Sequence, residues 1–429
     1  MKKYKTLLVM IEGGGNVAPM FGLAKKLIRA GHEINILTEP CLKKAVESIG
    51  ATFIPFKEYF TREDRNEDIF NDWDASKFNS PVLKQVIFGP AGSIVNRTRS
   101  ILQSENIDLL VVDMLLMPAL MAGESAKVPS VLVFHMPEIL PGSNRPPGNM
   151  GIKPGKGLVV KWRDRLLGNL MHLKFNEFKP SLNSIREQLL LKPLENTLDL
   201  IHKADLRLMQ TLKSFDVPVE PFPENIRYVG PDLENPDWVS TESDKLSKTK
   251  SDKPLVVVSF SSTFQNQSTV LQRCIDAMRT LPVYVCVTLG PAVNMEEIKV
   301  ASNVTVLQSA NHSELFKQAN LVICHGGHGT IMRALSHGVP LICMPMGRDQ
   351  FDNAIKVAMH GCGINLSAKV NSNTIEKAVN KVLKNENYQL SAMQFKREIE
   401  VSENMEEVLE EIGFLIEKSQ SHFTTQTTN

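Results

Sequence analysis

Residues 322–366 read VICHGGHGTIMRALSHGVPLICMPMGRDQFDNAIKVAMHGCGINL. The segment opens with a short apolar run that ends at His325, and a second apolar run covers Leu341–Pro345. Apolar residues at helical spacing follow each of these runs. Strands that alternate with helices in this way predict a mostly parallel sheet covered by helices on both faces.

The same alternation extends through both halves of the chain. In the N-terminal half, a glycine-rich turn and a helical pattern separate the apolar runs Thr6–Ile11 and Ile34–Thr38. Further apolar runs that predict strands are Leu109–Asp113, Val128–Phe134, Leu255–Phe260, Val283–Leu289 and Val304–Leu307. We therefore predict an α/β protein in which two Rossmann-like, doubly wound domains face each other across a cleft.

Domain boundaries follow from a change in composition. The stretch NPDWVSTESDKLSKTKSDK, from Asn235 to Lys253, is polar, rich in lysine and poor in core residues, which is typical of a linker. The predicted organisation is a first domain at 1–235, a linker at 236–253, a second domain at 254–400, a C-terminal helix at 401–418 and a disordered tail at 419–429.

Composition limits the class of protein. The chain has 429 residues, of which 48 are basic and 47 acidic, so its formal net charge is +1. An apolar share of 42% is that of a globular protein and excludes a disordered or collagenous chain. Balanced charge argues against nucleic acid as the main partner.

Cysteine usage and the apolar runs indicate the compartment. The six cysteines include no C-x-x-C pair and lie mostly inside apolar runs, which favours reduced thiols and a cytoplasmic protein. No apolar run reaches the ~18 residues of a membrane-spanning helix. Gly13 lies two residues after the end of this first short run at Ile11, so the run predicts a strand and not a signal peptide.

Two glycine-rich loops could hold a ligand. The first, Gly13–Ala18, fits G-x-G-x-x-A, and Glu39 ends the next predicted strand. This pattern favours an NAD(P)-dependent oxidoreductase, although a tight turn with small residues explains it equally well.

The second loop, His325-Gly326-Gly327-His328-Gly329-Thr330, links a strand to a helix. Its glycines and the helix N-terminus suit a phosphate group, to which an imidazole and a hydroxyl can donate.

The third candidate is a polar pair that follows the next predicted strand. Asp349 and Gln350 together present acceptors and donors that suit a polyhydroxylated ligand. Taken alone, Asp349 could equally be the N-cap of a helix.

Together the second loop and this pair resemble the donor-sugar signature of the UDP-glycosyltransferase superfamily, and most closely that of bacterial macrolide and natural-product glycosyltransferases. Supporting matches occur at Tyr228–Pro231 (V-G-P), Ser259–Ser262 (S-F-G-S) and Ile107–Asp113 (P-D-L-V-V-x-D).

The resemblance implies the GT-B fold and an inverting glycosyltransferase. Such an enzyme moves a hexose or deoxyhexose from a UDP- or TDP-sugar to a small lipophilic acceptor, without a metal or other cofactor. The donor would bind the C-terminal domain and the acceptor the N-terminal domain. The residues that the resemblance assigns to the donor are Ser262, His312, His325, Gly327, His328, Gly329, Thr330, Arg333, Asp349 and Gln350.

The chain departs from the family at the position of the catalytic base. Many members carry a proton-accepting histidine where this sequence has Asn16, and an amide is too weakly basic for that role. Asp113, which the resemblance places beside Asn16, is the candidate base. Alternatively, Asn16 orients an acceptor that is already nucleophilic, or the chain is an auxiliary protein with weak catalysis.

Two further departures concern the nucleoside. Arg333 replaces a glutamate that usually binds ribose, and Ser309 replaces a tryptophan that often stacks on the base. The acceptor segments have little pattern. Their apolar residues, namely Met136, Ile139, Leu140, Trp162 and Phe175, fit an acceptor pocket or ordinary core packing equally well.

Overall fold

The computed structural model describes residues 2–64, 82–142, 145–218, 221–234, 252–260, 267–290, 293–402 and 405–426. Two parallel sheets organise these residues into two lobes, so the predicted α/β architecture of two Rossmann-like units is confirmed. Ser262 and nearly all of the predicted linker, except residues 252 and 253, lie outside the described residues.

The N-terminal lobe contains a seven-stranded parallel sheet. Its strands are β1 (Lys5–Val9), β2 (Glu33–Thr38), β3 (Thr52–Pro55), β4 (Leu109–Asp113), β5 (Ser130–Phe134), β6 (Leu206–Met209) and β7 (Ile226–Tyr228), in the order β3-β2-β1-β4-β5-β6-β7. Its helices are α1 (Val17–Arg29), α2 (Lys43–Ser48), α3 (Ala91–Ser104), α4 (Leu120–Ala126), α5 (Leu158–Phe175) and α6 (Lys179–Gln188).

The C-terminal lobe repeats this plan with six parallel strands. They are β8 (Leu255–Ser259), β9 (Tyr284–Thr288), β10 (Val304–Leu307), β11 (Leu321–Cys324), β12 (Leu341–Cys343) and β13 (Gly363–Asn365), in the order β10-β9-β8-β11-β12-β13. The helices that follow are α7 (Ser268–Met278), α8 (His312–Phe316), α9 (His328–Ser336), α10 (Gln350–Met359), α11 (Ser372–Lys384), α12 (Glu386–Val401) and α13 (Met405–Gln426).

Each sheet is buried on both faces. Along β1, Leu7 packs into one apolar cluster of the N-terminal lobe and Leu8 into another. In β8, Val256 and Val258 face one cluster and Val257 faces a second. Because alternate residues of a strand point to opposite faces, both faces need helices to cover them, which explains the continuous apolar runs in the sequence.

Strand order fixes where a ligand can bind. In the N-terminal sheet the order reverses between β1 and β4, and in the C-terminal sheet it reverses between β8 and β11. Open α/β sheets bind ligands in the crevice at the carboxyl ends of such neighbouring strands. Asn16 and Asp113 follow or end the first pair, and His325 follows β11 in the second.

Helix α13 returns to the N-terminal lobe. Val408, Ile412 and Ile416 are buried in the same apolar cluster as Tyr4 and Leu8. The helix continues to Gln426, beyond residue 418, at which the sequence predicts its end.

Polar contacts explain why the helix extends beyond its apolar face. Ser419 donates to the carbonyl of Lys127 at 3.1 Å, and the Gln420 amide donates to Asp108 at 2.9 Å. The polar composition of this segment therefore reflects hydrogen bonding to the N-terminal lobe.

The lobes are joined around Phe215. This residue follows β6 in the N-terminal lobe, yet it is fully buried in an apolar cluster of the C-terminal lobe. Its ring stacks on His360 at a centroid distance of 5.7 Å and meets Phe395 edge-on at 5.9 Å. The segment after β6 therefore anchors one lobe in the other.

Removal of buried volume from α13 should destabilise the N-terminal lobe. We expect Ile412→Ala to lower the free energy of unfolding by about 2–5 kcal/mol, because the cavity forms between the helix and the sheet. Phe414→Ala, on the exposed side of the same helix, should change it by less than about 0.5 kcal/mol. Urea unfolding of both variants tests this difference, and equal midpoints would contradict the packing of α13 on the sheet.

Candidate active site

Asn16 and Asp113 meet at the carboxyl edge of the N-terminal sheet. The Asn16 amide donates to Asp113 at 2.5 Å and to the Ile11 carbonyl at 2.9 Å, and its oxygen accepts from the Gly13 N–H at 3.0 Å. Asn16 is 1% exposed. The amide is therefore committed to fixing the loop between β1 and α1, and it is not presented to an acceptor in the cleft.

Asp113 is also enclosed. The residue is fully buried, and its second oxygen accepts from the Leu115 N–H at 2.9 Å. Burial raises the pKa of its carboxyl, against the lowering effects of the His135 charge and of hydrogen bonds from Asn16 and Leu115. The structure thus pairs Asp113 with Asn16 as expected, but it places the carboxylate behind the cleft surface.

His135 is a candidate that sequence reasoning missed. It follows β5, the neighbour of β4, and is partly exposed. Its Nδ1 is buried and has no hydrogen-bond partner among the described residues. Its charge interacts with that of Asp113. A polar residue directly after the apolar run Ser130–Phe134 was the available signal, since such residues lie at the ligand-binding edge of a parallel sheet.

The N-terminus of α9 lies at the corresponding edge of the C-terminal sheet. Gly327 is the N-cap, and no side chain caps the first turn in this described part of the chain. The N–H groups of His328, Gly329 and Thr330 therefore have no partner within the helix. Gly329 is exposed and a side chain there would meet open space. This first turn can accept an anion such as a diphosphate.

His325 lies over this turn. A Cβ at Gly327 would collide with the His325 ring, which explains the small residue at that position. Burial, with the charges of Arg348 and His312, lowers the pKa of His325 to about 4. The imidazole is therefore neutral near pH 7 and can donate one N–H. Its Nδ1 is buried and lacks a partner within the described ranges.

Asp349 and Gln350 start α10 close to the same turn. The Asn353 amide donates to Asp349 at 2.6 Å and to the Gly326 carbonyl at 3.1 Å, which joins the two loops. Gln350 accepts backbone N–H groups from residues 346 and 347 at 2.9 and 3.1 Å. Gly326 has φ of +91°, and a Cβ there would lie 2.9 Å from the Gln350 carbonyl. The structure thus brings these predicted donor residues together.

Two other predicted donor residues make contacts that the sequence did not indicate. His328 Nε2 lies 2.9 Å from the hydroxyl of Thr211 in the N-terminal lobe, and the ring also bonds to the His135 backbone. Burial lowers the pKa of His328 to about 3. Arg333 donates to the Ser313 hydroxyl at 2.5 Å and to the Leu233 carbonyl at 3.0 Å.

These contacts give both side chains a role between elements. The His328 side chain connects the lobes. This residue therefore contributes only its backbone groups to the first turn of α9. Arg333 joins α9 to α8 and to the segment that leaves the N-terminal lobe. Neither the His328 contact nor the Arg333 contacts depend on a bound nucleotide sugar.

His312 lies beside the ends of β8 and β9. Its Nε2 is 3.1 Å from the Ser259 hydroxyl and 3.3 Å from that of Thr288, and its ring stacks on Phe316. Burial and the charge of Arg333 lower the pKa of His312 to about 4. This neutral ring is held in a fixed orientation at the edge of the site.

The first glycine-rich loop is closed to a dinucleotide ribose. Arg62 pairs with Glu39 through contacts of 2.6 and 2.9 Å, and Glu39 also accepts the Glu12 N–H at 2.8 Å. Glu39 is 1% exposed. A carboxylate held in this way is not available to ribose hydroxyls, so the geometry does not support the oxidoreductase alternative.

Polar contacts join the two lobes. Lys356 of α10 lies 3.6 Å from Asp216, which follows Phe215. Asp352 accepts the N–H groups of Asn149 and Gly151 at 2.5 and 2.7 Å, so the loop before α5 is bound to α10. The two ligand-binding edges are consequently held face to face.

Metal and membrane criteria complete the description. In the ranges given above, no three His, Cys, Asp or Glu side chains lie close enough together to hold a metal ion. None of the helices among the described residues has the length and apolarity to cross a membrane.

Of the apolar residues considered for an acceptor pocket, four join or contact the N-terminal core, and Trp162 is exposed.

Comparison with known proteins agrees with this geometry. Two curated relatives match nearly the whole chain. The 4'-demethylrebeccamycin synthase of Lentzea aerocolonigenes is 22% identical over 92% of this chain and 95% of its own. The NDP-glycosyltransferase YjiC of Bacillus subtilis is 23% identical over 98% and 99%.

A solved structure, the glycotransferase of kitacinnamycin, superposes with a TM-score of 0.76 at 18% identity, covering 96% of this chain and 99% of that one. This similarity shows that the fold is GT-B. The sequence model of the UDP-glucoronosyl and UDP-glucosyl transferase family matches residues 160–413. The chain therefore belongs to this family and is a glycosyltransferase.

Proposed function

We propose that the protein transfers a hexose or deoxyhexose from a UDP- or TDP-sugar to a hydroxyl of a small lipophilic acceptor, with inversion at the anomeric carbon. The uncapped first turn of α9 beneath a neutral His325 is the observation that carries this proposal. The names of the rebeccamycin synthase and of the NDP-glycosyltransferase support a natural-product acceptor and a nucleoside diphosphate donor.

The donor binds the C-terminal lobe. Its diphosphate accepts hydrogen bonds from the N–H groups of Gly329 and Thr330 and from the His325 ring. Asp349 and Gln350 bind sugar hydroxyls from the start of α10. Backbone N–H groups and neutral donors hold the diphosphate, so no metal is required for this contact.

The nucleoside is bound without strict selection between uridine and thymidine. Ser309 cannot stack on a base as a tryptophan does. Arg333 is bound to Ser313 and to the backbone at residue 233, so it does not replace the ribose-binding carboxylate. The ribose is then held from the side of His312, whose ring is fixed between two hydroxyls.

Transfer is a single displacement. The acceptor oxygen forms a bond to the anomeric carbon while the bond from that carbon to the diphosphate oxygen breaks, and the nucleoside diphosphate leaves. The partial positive charge at the N-terminus of α9 stabilises the negative charge on the leaving group. Attack from the opposite face of the sugar inverts its configuration.

The proton of the acceptor hydroxyl passes to His135. The Asn16 amide cannot take this proton, and Asp113 is enclosed behind the loop. His135 lies at the same sheet edge, and its side chain is partly exposed. Asp113 stabilises the imidazolium that forms, because the two charges interact. Asn16 and Asp113 thus act as positioning residues. We place the reaction in the cytoplasm.

The proposed reaction can be observed directly. Mass spectrometry of the purified protein with UDP-glucose or TDP-glucose and a phenolic or steroid alcohol should show addition of one hexose. Proton coupling constants at the anomeric position should show the inverted configuration. Absence of transfer from either donor to any acceptor, or a retained configuration, would overturn the proposal.

Loss of the His325 ring should weaken donor binding. We expect His325→Ala to raise the dissociation constant of the nucleotide sugar by about tenfold or more, because a hydrogen bond to a charged phosphate is lost. Calorimetry with UDP-glucose measures this constant. His337→Ala, at the other end of α9, is the matched control and should bind as the native protein does. Equal affinities of the two variants would contradict the assignment of His325 to the nucleotide-sugar site.

Loss of the His135 ring should affect the chemical step. We expect His135→Asn to lower kcat towards an alcohol acceptor by about 10²–10⁴-fold, with little change in donor affinity, because the base is removed. With a phenol acceptor that ionises at the assay pH, kcat should fall much less. His172→Asn is the matched control, since that ring also has a buried Nδ1 without a partner in the described chain.

Equal kcat values for His135→Asn and His172→Asn would show that another group accepts the proton.

A further inference from the structure

Helix α5 exposes apolar side chains along its whole length. We name as the apolar stripe the residues Leu158, Val159, Trp162, Leu166, Leu170 and Leu173, whose exposed fractions are between 44% and 86%. Trp162 alone is 69% exposed. A contiguous exposed patch of this kind marks a surface that binds a partner.

Helical geometry places the stripe on the outward face. Successive residues are about 100° apart around an α-helix, so the six side chains fall within an arc of about 120°. The buried residues Asp164, Gly168 and Met171 lie on the opposite side of the helix, against the lobe. The apolar side chains therefore point directly away from the protein.

Basic residues border the stripe on both sides. Lys161 and Arg165 follow one edge and are exposed, and Arg163 and Lys174 follow the other. The acidic residue of α5, Asp164, points inward and pairs with Arg163 at 2.6 Å. The outward face thus combines an apolar centre with positive edges and carries no acidic side chain.

This arrangement matches the surface of an anionic bilayer. Leucine and tryptophan side chains can enter the boundary between headgroups and acyl chains, while lysine and arginine at the edges reach the phosphates. A protein partner would supply directional polar contacts, whereas the stripe offers apolar surface with cations at its edges. Charge complementarity therefore favours a membrane over a second protein chain.

The location of α5 connects this surface to the cleft. The loop that leads into the helix donates two backbone N–H groups to Asp352 of α10, the helix that starts with the sugar-binding pair. The loop that precedes α5 therefore joins this part of the N-terminal lobe to the C-terminal lobe.

We propose that α5 is an interfacial helix through which the protein binds reversibly to anionic membranes. The proposal stands apart from the proposed donor and acceptor, because the helix needs neither for binding. Vesicle binding can accordingly be measured without a nucleotide sugar, so that failure of one proposal leaves the other in place.

Vesicle flotation tests the proposal. The full chain should float with vesicles of equal parts phosphatidylcholine and phosphatidylglycerol at low salt, and it should bind much less to pure phosphatidylcholine or at 1 M salt, where charges are screened to about 3 Å. Trp162 emission should shift to shorter wavelength on binding, in a variant with Trp73 and Trp238 replaced by phenylalanine.

Paired variants separate the apolar and electrostatic contributions. We expect Trp162→Gln with Leu166→Gln to reduce the partition coefficient by more than about tenfold, since two apolar side chains that enter the bilayer are lost. Leu390→Gln with Val401→Gln changes two exposed apolar residues of α12 and should have no effect. Lys161→Gln with Arg165→Gln should weaken binding by about tenfold or more, and Lys377→Gln with Lys381→Gln on α11 is its charge-matched control.

Three results would overturn the membrane assignment. The native protein could fail to float with anionic vesicles, or the stripe variant could float as well as its control. The stripe variant could also leave flotation unchanged and convert a dimer to a monomer in light scattering, which would make the stripe an interface between copies of this chain.

Discussion

The geometry of the cleft depends on the burial of Phe215. This side chain belongs to the lobe built on β1–β7 but is enclosed by the apolar residues of the other lobe. Its neighbour Asp216 pairs with Lys356, and Thr211 bonds to His328, so three contacts within six residues fix one sheet edge opposite the other. Burial of an aromatic ring supplies the energy of this contact, and the polar pairs supply its orientation. These contacts place the first turn of α9 opposite the carboxyl ends of β1 and β4.

The sequence was sufficient for the parts of the fold with strong periodicity. The runs Leu109–Asp113 and Val304–Leu307 are strands with the predicted bounds. The first of them is buried on both faces, and parallel strands of that kind are mostly apolar. The sequence analysis missed the strands β3, β6, β7 and β13. β13 has three residues, Gly363–Asn365, and β3 is only partly buried, so neither carries a distinct apolar signal. The glycine-rich loop before α9 was also recognisable, because its function depends on local backbone geometry.

The remainder of the site depends on contacts between residues far apart in the chain. Nothing in the local sequence of His328 indicates that its ring bonds to Thr211, or that Glu39 is held by Arg62. The same is true of His135. The position of Asn16 could be matched to a family pattern, but the neighbourhood of Asp113 and His135 arises only when β4 and β5 pair. Sequence reasoning therefore located the two edges of the cleft and left the assignment of several side chains to the structure.

The return of α13 to the first lobe has a consequence for biosynthesis. A ribosome makes the chain from the N-terminus, and domains usually fold as units while they emerge. Here, the apolar face of the first sheet that includes Leu8 is covered partly by Val408, Ile412 and Ile416, which are translated after the whole second lobe. Until then this face is open to water and to other nascent chains. The first lobe to be made is thus the last to complete its core, and chaperones have their longest opportunity to bind there.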